Sequence, residues 1–228
     1  MNLSQIKVEN RTIYFRDGTS DSLIINKNLG QTDKPEYMFP VLPITPKVIL
    51  DIGGNIGITA LVLNKRYPSA KIYTFEPEPE NFSILEKNVS GISNIEIFNF
   101  GLSNSDQKLM LKKPSDPVNF GGFSVFDKGV NGDHQEIELK SISQFIEQKE
   151  ILKIDVIKID CEGAEYDILT SLDLSNITWI EGECHGIKDF ELLSYINKTH
   201  VLNVDKPLLQ RNFGFQALNK VYVAPELY

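Results

Sequence analysis

The sequence predicts a doubly wound α/β fold, a mostly parallel sheet covered by helices on both faces. Three observations predict it. From Val48 onward, short β-branched runs alternate with stretches of helical periodicity. The run Val48-Ile-Leu-Asp-Ile-Gly-Gly-Asn-Ile-Gly-Ile-Thr-Ala60 takes an apolar strand to a carboxylate, bends through glycines and enters a helix. Asp51, Glu76, Asn99, Asp160, Glu162 and Glu183 all fall at expected carboxyl ends of strands, where such sheets bind ligands beside the point of order reversal.

Each element has its own signal. Residues 5–16 alternate around Glu9-Asn10 and suggest a β-hairpin. Asp21-Ser-Leu-Ile-Ile-Asn26 then leads into a polar stretch and Glu36-Tyr37-Met-Phe-Pro40. Residues 1–45 are therefore expected to form an extension, a hairpin with a cover on the ligand side, ahead of a main domain over 46–228. In that domain the first strand starts near Lys47, and helix Ile58–Arg66 stops before Pro68. Lys71–Phe75 is the second strand, running into Glu76. Asn81–Val89 is a helix with Phe82, Leu85 and Val89 at helical spacing, and Ile95–Asn99 is the third strand, closed by Gly101.

Residues 107–140 interrupt this alternation. Lys108–Lys112 and Glu136–Leu139 read as strands flanking a long loop rich in proline and glycine, and loops of that length are commonly functional. Within it, Asn119-Phe120-Gly-Gly-Phe123 combines aromatics with glycines and is expected to be a lid over the acceptor. The alternation then resumes with helix 141–148, strand 156–160, helix 164–172, strand 178–183, helix 189–197, strand 200–204 and a final strand near Lys220–Ala224.

Composition narrows the function classes. With 41% hydrophobic and 10% aromatic residues in 228, the chain can fill one real core. A net charge of −8 disfavours a nucleic-acid partner. Two cysteines, Cys161 and Cys184, suit reduced thiols better than a disulfide framework. With no apolar leader core in Met1–Thr12 and no membrane-length apolar run, a cytoplasmic location is expected.

The glycine motif points to a nucleoside ligand. Gly53, Gly54 and Gly57 permit a tight turn and close backbone approach, with Asn55 between them. Asp51 would repel a pyrophosphate and attract an amino group, whereas Glu76 suits paired ribose hydroxyls. That combination favours S-adenosylmethionine, which carries ammonium and sulfonium and no phosphate. Glycine count alone leaves NAD and an oxidoreductase open, as it does a non-catalytic adenosyl-binding protein. The Gly-Lys-Ser/Thr of a Walker loop is absent.

Catalytic chemistry is expected at the ends of the fourth and fifth strands. Ile157-Lys-Ile-Asp-Cys-Glu-Gly-Ala-Glu-Tyr-Asp167 places Asp160 and Glu162 near a helix start, with Glu165 and Asp167 expected in solvent. Lys158, inside a strand buried on both faces, needs a partner, and alternation offers Asp160. On the fifth strand, Trp179, Glu181, Glu183 and His185 share one face. His185 is a general base, a metal ligand or a surface histidine. Two carboxylates with His185 have ligands enough for a divalent cation, yet acid–base use is preferred and no metal is expected. His134 and His200 are read as structural.

Together these residues resemble the FkbM-type family of S-adenosylmethionine-dependent methyltransferases. The matching pieces are Val48-Ile-Leu-Asp-Ile-Gly-Gly-Asn-Ile-Gly57, Phe75-Glu-Pro77, Asn99-Phe-Gly-Leu-Ser103 and, most specifically, Ile157-Lys-Ile-Asp-Cys-Glu-Gly-Ala-Glu165. Arg16-Asp-Gly-Thr-Ser-Asp21 and Glu36-Tyr37 match that family's entry region. The resemblance implies a class I methyltransferase fold of seven strands, the last antiparallel, and O-methylation of a sugar, glycan or secondary-metabolite hydroxyl. It places Asp51 and the glycines at the methionine end and Glu76 with Pro77 at the ribose. Asn99, Phe100 and Gly101 would meet the adenine, and Asp21 and Tyr37 would stand on the cofactor side. Asp160 and Glu162 would border the transferred methyl. The expected catalytic set is His185, Asp160, Glu162 and Lys158, with His185 first as base, and Glu183 joins the acceptor side. Gly54 replaces an alanine common in that family, a change expected to be harmless.

Overall fold

The computed structural model describes residues 3–30, 37, 39–112, 134–185, 188–202 and 212–217. The chain begins as an antiparallel hairpin, β1 (Leu3–Val8) with β2 (Arg11–Arg16). Helix α1 (Ser20–Leu29) follows, which the sequence reading missed. Its start is fixed by Thr19, whose hydroxyl accepts from the Asp21 N–H, and its end by Gly30.

The βα alternation then runs β3 (Val48–Ile52), α2 (Ile58–Arg66), β4 (Lys71–Phe75), α3 (Pro79–Val89) and β5 (Ile95–Phe98). Proline at the first position of α3 and Glu78 as its cap, accepting from Asn81 N–H at 2.7 Å, set that helix's start. Next come β6 (Gly101–Ser103), β7 (Gln107–Lys112), β8 (His134–Ser141) and α4 (Ile142–Gln148). They are followed by β9 (Val156–Ile159), α5 (Glu165–Thr170), β10 (Trp179–Glu183), α6 (Asp189–Ile196), β11 (His200–Leu202) and β12 (Asn212–Ala217).

The main sheet has the order β11-β12-β10-β9-β3-β4-β5. Neighbours from β10 to β5 run parallel, and β12 lies antiparallel to both β10 and β11. The order reverses between β3 and β9, which opens a cleft at their carboxyl ends. The two strands expected on either side of the long loop pair antiparallel as β7 and β8, and β6 joins β8 in a separate three-stranded sheet. The expected lid residues Asn119, Phe120 and Phe123 lie outside the described residues, as does the strand expected near Lys220–Ala224. The sheet also takes Asn212-Phe-Gly-Phe-Gln-Ala217, a strand not expected from the sequence, where the central Gly214 weakens the signal.

Both faces of the sheet are buried, and alternation sorts its side chains. Leu50, Ile52, Tyr73, Phe75, Ile157 and Ile159 point to one core with α4, α5 and α6. There Phe145 meets Phe75 and Phe98 edge-on at 4.9 and 5.1 Å. Ile49, Ile72 and Val156 point to the other core, which also takes Ile13, Ile25, Tyr37 and Phe39 from the extension. The N-terminal segment is therefore a wall of the second core. On that face, one level further along the strands, register sets Thr74, Asp51, Lys158 and Glu181 side by side in a polar row.

Buried polar groups dock the extension. Asn88, fully buried on α3, accepts from Tyr14 N–H at 2.7 Å and donates to Tyr14 O at 3.0 Å and Ile56 O at 2.8 Å. One amide thus ties the hairpin, α3 and the glycine turn together. Asn88→Ala leaves these backbone groups unmatched and is expected to cost about 2–4 kcal/mol, read by urea denaturation. A change below about 0.5 kcal/mol would mean that the hairpin is not coupled to the core.

Candidate active site

The cleft at the carboxyl ends of β3, β4, β9 and β10 holds a cavity of about 290 Å³. Its polar lining includes Asn55, Glu76, Asp160, Glu162 and Glu183, with Tyr37 on the extension side. Leu102, Leu111, Ile137 and Leu139 of the three-stranded sheet close it with an apolar wall.

Beneath the cavity, Asp51 and Lys158 are almost wholly buried, with Lys158 Nζ 3.7 Å from Asp51 Oδ1. Thr74 donates its hydroxyl to Asp51 Oδ2 at 3.2 Å, and Lys158 donates to Gly53 O at 2.6 Å. Lys158 therefore pairs with Asp51 across the strands, in place of the expected Asp160. Glu181, beside Lys158 in register, accepts from Trp179 Nε1 at 2.9 Å. Burial pushes Asp51 up to about 6, against the opposing pull of Lys158 and Thr74. Its Oδ1 accepts no hydrogen bond among the described residues.

Close packing explains the glycines. Gly53 has φ 84°, and a Cβ there would lie 1.8 Å from Asp160 O, so only glycine lets the turn cross the end of β9. A Cβ on Gly54 would stand 2.3 Å from Thr74 Cγ2 and 2.9 Å from Leu85 Cδ1. Alanine introduced here would have to displace Thr74, which is held by Asp51.

The N–H groups of the turn have partners within the protein. Gly53 and Gly54 N–H both donate to Phe75 O, at 3.1 and 2.8 Å, and Gly57 N–H donates to Gly54 O at 2.8 Å. Asn55 N–H donates to Glu76 Oε2 at 2.7 Å, and Glu78 N–H to Glu76 Oε1 at 2.9 Å. Burial nonetheless raises Glu76 to about 7. Asn55 holds a left-handed φ of 47°, and its Oδ1 accepts no hydrogen bond among the described residues.

Other expected cofactor residues play supporting parts. Asp21 is fully buried, and both its oxygens accept from Arg16, at 2.9 Å from Nε and 3.0 Å from Nη2, so it does not face the cavity. Arg16 passes this constraint on to Asn81 Oδ1 at 2.7 Å. Asn99 donates to Glu76 O at 2.9 Å, which fixes the bend after β5. Phe100 turns into the aromatic cluster, 5.3 Å from Phe98 and 5.8 Å from Phe75. Gly101 and Pro77 do line the cavity, whereas Gly57 caps α2.

At the far end, carboxylates surround one imidazole. His185 Nδ1 lies 3.2 Å from Glu165 and 3.8 Å from Asp160, and Nε2 lies 3.2 Å from Glu183 and 3.8 Å from Glu162. Burial disfavours charge on His185, but hydrogen bonds to Glu165 and Glu183 and the charges of Glu162 and Asp160 outweigh it and hold the ring at about 11. At neutral pH this ring already carries its proton, so the expected first-ranked base is a cation here. Burial raises Glu162 to about 7 despite the charge of His185. Asp160 Oδ2 accepts from Tyr37 OH at 2.5 Å. Glu165, expected in solvent, is 2% exposed and accepts from Cys161 and Gly163 N–H at 3.1 and 3.2 Å. Its position in the first turn of α5 was the signal for this role.

Two outcomes test this geometry. Gly54→Ala must displace Thr74 and is expected to cost about 1–3 kcal/mol in chemical denaturation; an unchanged midpoint would show that the turn has slack. Glu76 binds protons more tightly folded than unfolded, so its contribution to stability falls as pH rises from about 4.5 through about 7. The stability advantage of wild type over Glu76→Gln should therefore shrink by roughly 1–3 kcal/mol between pH 5 and pH 8, and a gap independent of pH would contradict the assignment.

Comparison with known proteins gives the site its context. Residues 51–216 match the model of the methyltransferase FkbM domain. Methyltransferase 1 of Beauveria bassiana is 31% identical over 144 residues, covering 55% of this chain and 58% of that protein. The hexuronic acid methyltransferase AglP of Haloferax volcanii is 29% identical over 173 residues, 74% of this chain and 68% of that protein. Among solved structures, the methyltransferase FkbM of Methylobacillus flagellatus KT superposes with a TM-score of 0.53 at 15% identity. That match spans 86% of this chain and 53% of the other, a likeness of fold. The chain thus spans less than two thirds of the fungal relative and of the solved neighbour. With the family model spanning the glycine turn, both acidic strand ends and β12, this chain belongs to the methyltransferase FkbM domain family.

Proposed function

We propose that this chain is an S-adenosylmethionine-dependent O-methyltransferase acting on a hydroxyl of a sugar, glycan or secondary metabolite, built on the seven-stranded class I arrangement. The observation that carries the cofactor reading is the glycine turn, in which Gly53, Gly54, Asn55 and Gly57 N–H all have internal partners. A dinucleotide-binding turn offers such groups to a pyrophosphate. Here Glu76, Asp160, Glu162 and Glu183 line the cavity as well and outnumber its two lysines, Lys27 and Lys158, a balance that opposes phosphate.

A cationic, phosphate-free nucleoside fits this donor set. Glu76 is an acceptor for ribose hydroxyls, and Asn55, which lines the cavity, offers its Oδ1 at the turn for the amino-acid end, with the Asp51–Lys158 pair buried behind it. S-adenosylmethionine, when bound, supplies a methyl group already activated by its sulfonium. The residues around His185 then serve the acceptor. Glu162 takes the proton that the acceptor oxygen loses: it lines the cavity, and its carboxylate stands 3.8 Å from His185, further than Glu165 or Glu183. Its left-handed backbone, φ 57°, turns it out of the strand end. Lys158 positions the glycine turn through Gly53 O and takes no proton itself. The apolar wall excludes water, and a relative described as a hexuronic acid methyltransferase makes sugar hydroxyls the first acceptors to test.

The deciding experiment incubates the protein with methyl-labelled S-adenosylmethionine and a panel of uronic acids, neutral sugars and phenols. Label should appear as an alkali-stable ether, and Glu162→Gln should lower kcat by about 10²–10⁴-fold, with S-adenosylhomocysteine affinity within about threefold of wild type. Wild-type turnover in Glu162→Gln would remove that base. Calorimetric binding of NADH without binding of S-adenosylhomocysteine would remove the cofactor reading.

A further inference from the structure

We propose that Asp160, Glu183 and His185 form a binding site for one divalent cation at the cavity floor, a transition-metal ion of the manganese(II) type. One ligand atom from each of the three lies within 4.8 Å of the others. Ligands held at about 2.1–2.3 Å from a common centre stand up to roughly 4.5 Å apart, so one ion can reach all three after small side-chain adjustments. The placement follows from topology. Ile159 pairs with Gly182 across β9 and β10, so the next residues, Asp160 and Glu183, leave adjacent strand ends together, and His185 follows two positions later.

Two features separate this group from an incidental collection of acids. The first is the buried imidazole, 8% exposed and oriented from behind. Glu165 receives His185 Nδ1 at 3.2 Å and is itself anchored by Cys161 and Gly163 N–H, which leaves Nε2 facing Glu183, where the ion would replace the Nε2 proton and release it to solvent. A carboxylate that fixes the far nitrogen of a histidine is the usual outer support of a metal-bound imidazole. Tyr37 holds Asp160 Oδ2 in a similar way, and Asp160 Oδ1 lies 3.8 Å from His185 Nδ1, so a turn of the Asp160 side chain is needed to meet an ion on Nε2.

The second is uncompensated charge. Asp21, Asp155 and Glu96 each have a close cation, in Arg16, in Lys153, and in Lys71 with Lys149, and buried Glu76 is met by the N–H groups of Asn55 and Glu78. Around Asp160, Glu162, Glu165 and Glu183, His185 is the sole cationic side chain within 4 Å among the described residues. Four carboxylates around one ring repel one another, and a divalent ion relieves that repulsion. Asp160 and Glu183 remain 26% and 23% exposed on the cavity side, so the ion keeps open positions for water or an acceptor oxygen. Mixed imidazole and carboxylate ligation favours manganese(II) over magnesium or calcium. The role of the ion, lowering the pKa of an acceptor hydroxyl, rests on the methyl-transfer reading, whereas its binding does not.

The test uses the full chain, stripped with chelator and titrated with Mn²⁺, with free ion followed by electron paramagnetic resonance and total heat by calorimetry. One ion per chain is expected. Glu183→Gln and His185→Gln should each weaken binding at least tenfold, and Glu165→Gln by about 10–100-fold, with circular dichroism unchanged. No Mn²⁺ bound at about millimolar concentration, or wild-type affinity retained in Glu183→Gln and His185→Gln, would overturn the site. S-adenosylhomocysteine binding, measured on the same samples, separates the two readings: Mn²⁺ bound by wild type and lost in the variants, with no S-adenosylhomocysteine bound, keeps the metal site and defeats methyl transfer.

Discussion

Asp51 and Lys158 stand side by side on the two strands where the sheet order reverses, both almost wholly removed from water. A buried ion pair is costly to assemble, and its justification lies in what it specifies. Here it specifies register. A slip of one residue between β3 and β9 would turn one strand over and send one of the two charges into the opposite, apolar core without its partner, so only one alignment of the central strands is tolerable. The same ammonium holds Gly53 O and so fixes the turn above it. Thr74 on β4 completes the row by donating to Asp51.

That row needs a roof, and the N-terminal extension supplies one. Tyr37 lays its ring 5.3 Å from Lys158 Nζ and gives its hydroxyl to Asp160, so a single side chain touches both the buried pair and the cavity. The hairpin beneath it is held by Arg16 with Asp21 and Asn81, and by Asn88. Arg16 reaches Asn81, whose amide lies 3.5 Å from Glu76. A chain of buried polar contacts thus runs from the hairpin to the carboxylate expected to meet the ribose. The extension, a separate cover in the sequence reading, works physically as part of the sheet's second core.

The parallel strands were legible because residues buried on both faces announce themselves as continuous apolar runs, and α2 because Pro68 marks its end. Helix α1 was hidden: Leu23, Ile24 and Ile25 sit together with no clear amphipathic stripe, and only Thr19 and Gly30 marked its limits. Pairing was hardest to see. Alternation placed Lys158 on the Asp160 face, yet the nearest charge lay across the strands at Asp51, a relation set by register. Asp21 belonged to a matching segment of the chain, but its partner is Arg16, five positions earlier, and no spacing rule reveals that. Glu165 was read as solvated because a first-turn acid usually is; the fold places His185 against it from a different strand.

The cluster at the ends of β9 and β10 has a consequence for how a base can operate there. An imidazole gripped by Glu165 and Glu183 is too good a proton holder to be a proton acceptor, since each nearby carboxylate stabilises its charged form. Its value to catalysis must come from charge and position. As a cation it would tie Glu183 and Asp160 together and leave Glu162, more loosely attached, to accept a proton. As a metal ligand it would give the same service through an ion of higher charge, with Glu165 holding the ring in place. In both states the histidine organises acids, and in the proposed reaction the proton goes to Glu162, whose carboxyl is raised first by burial and then by the neighbouring carboxylates.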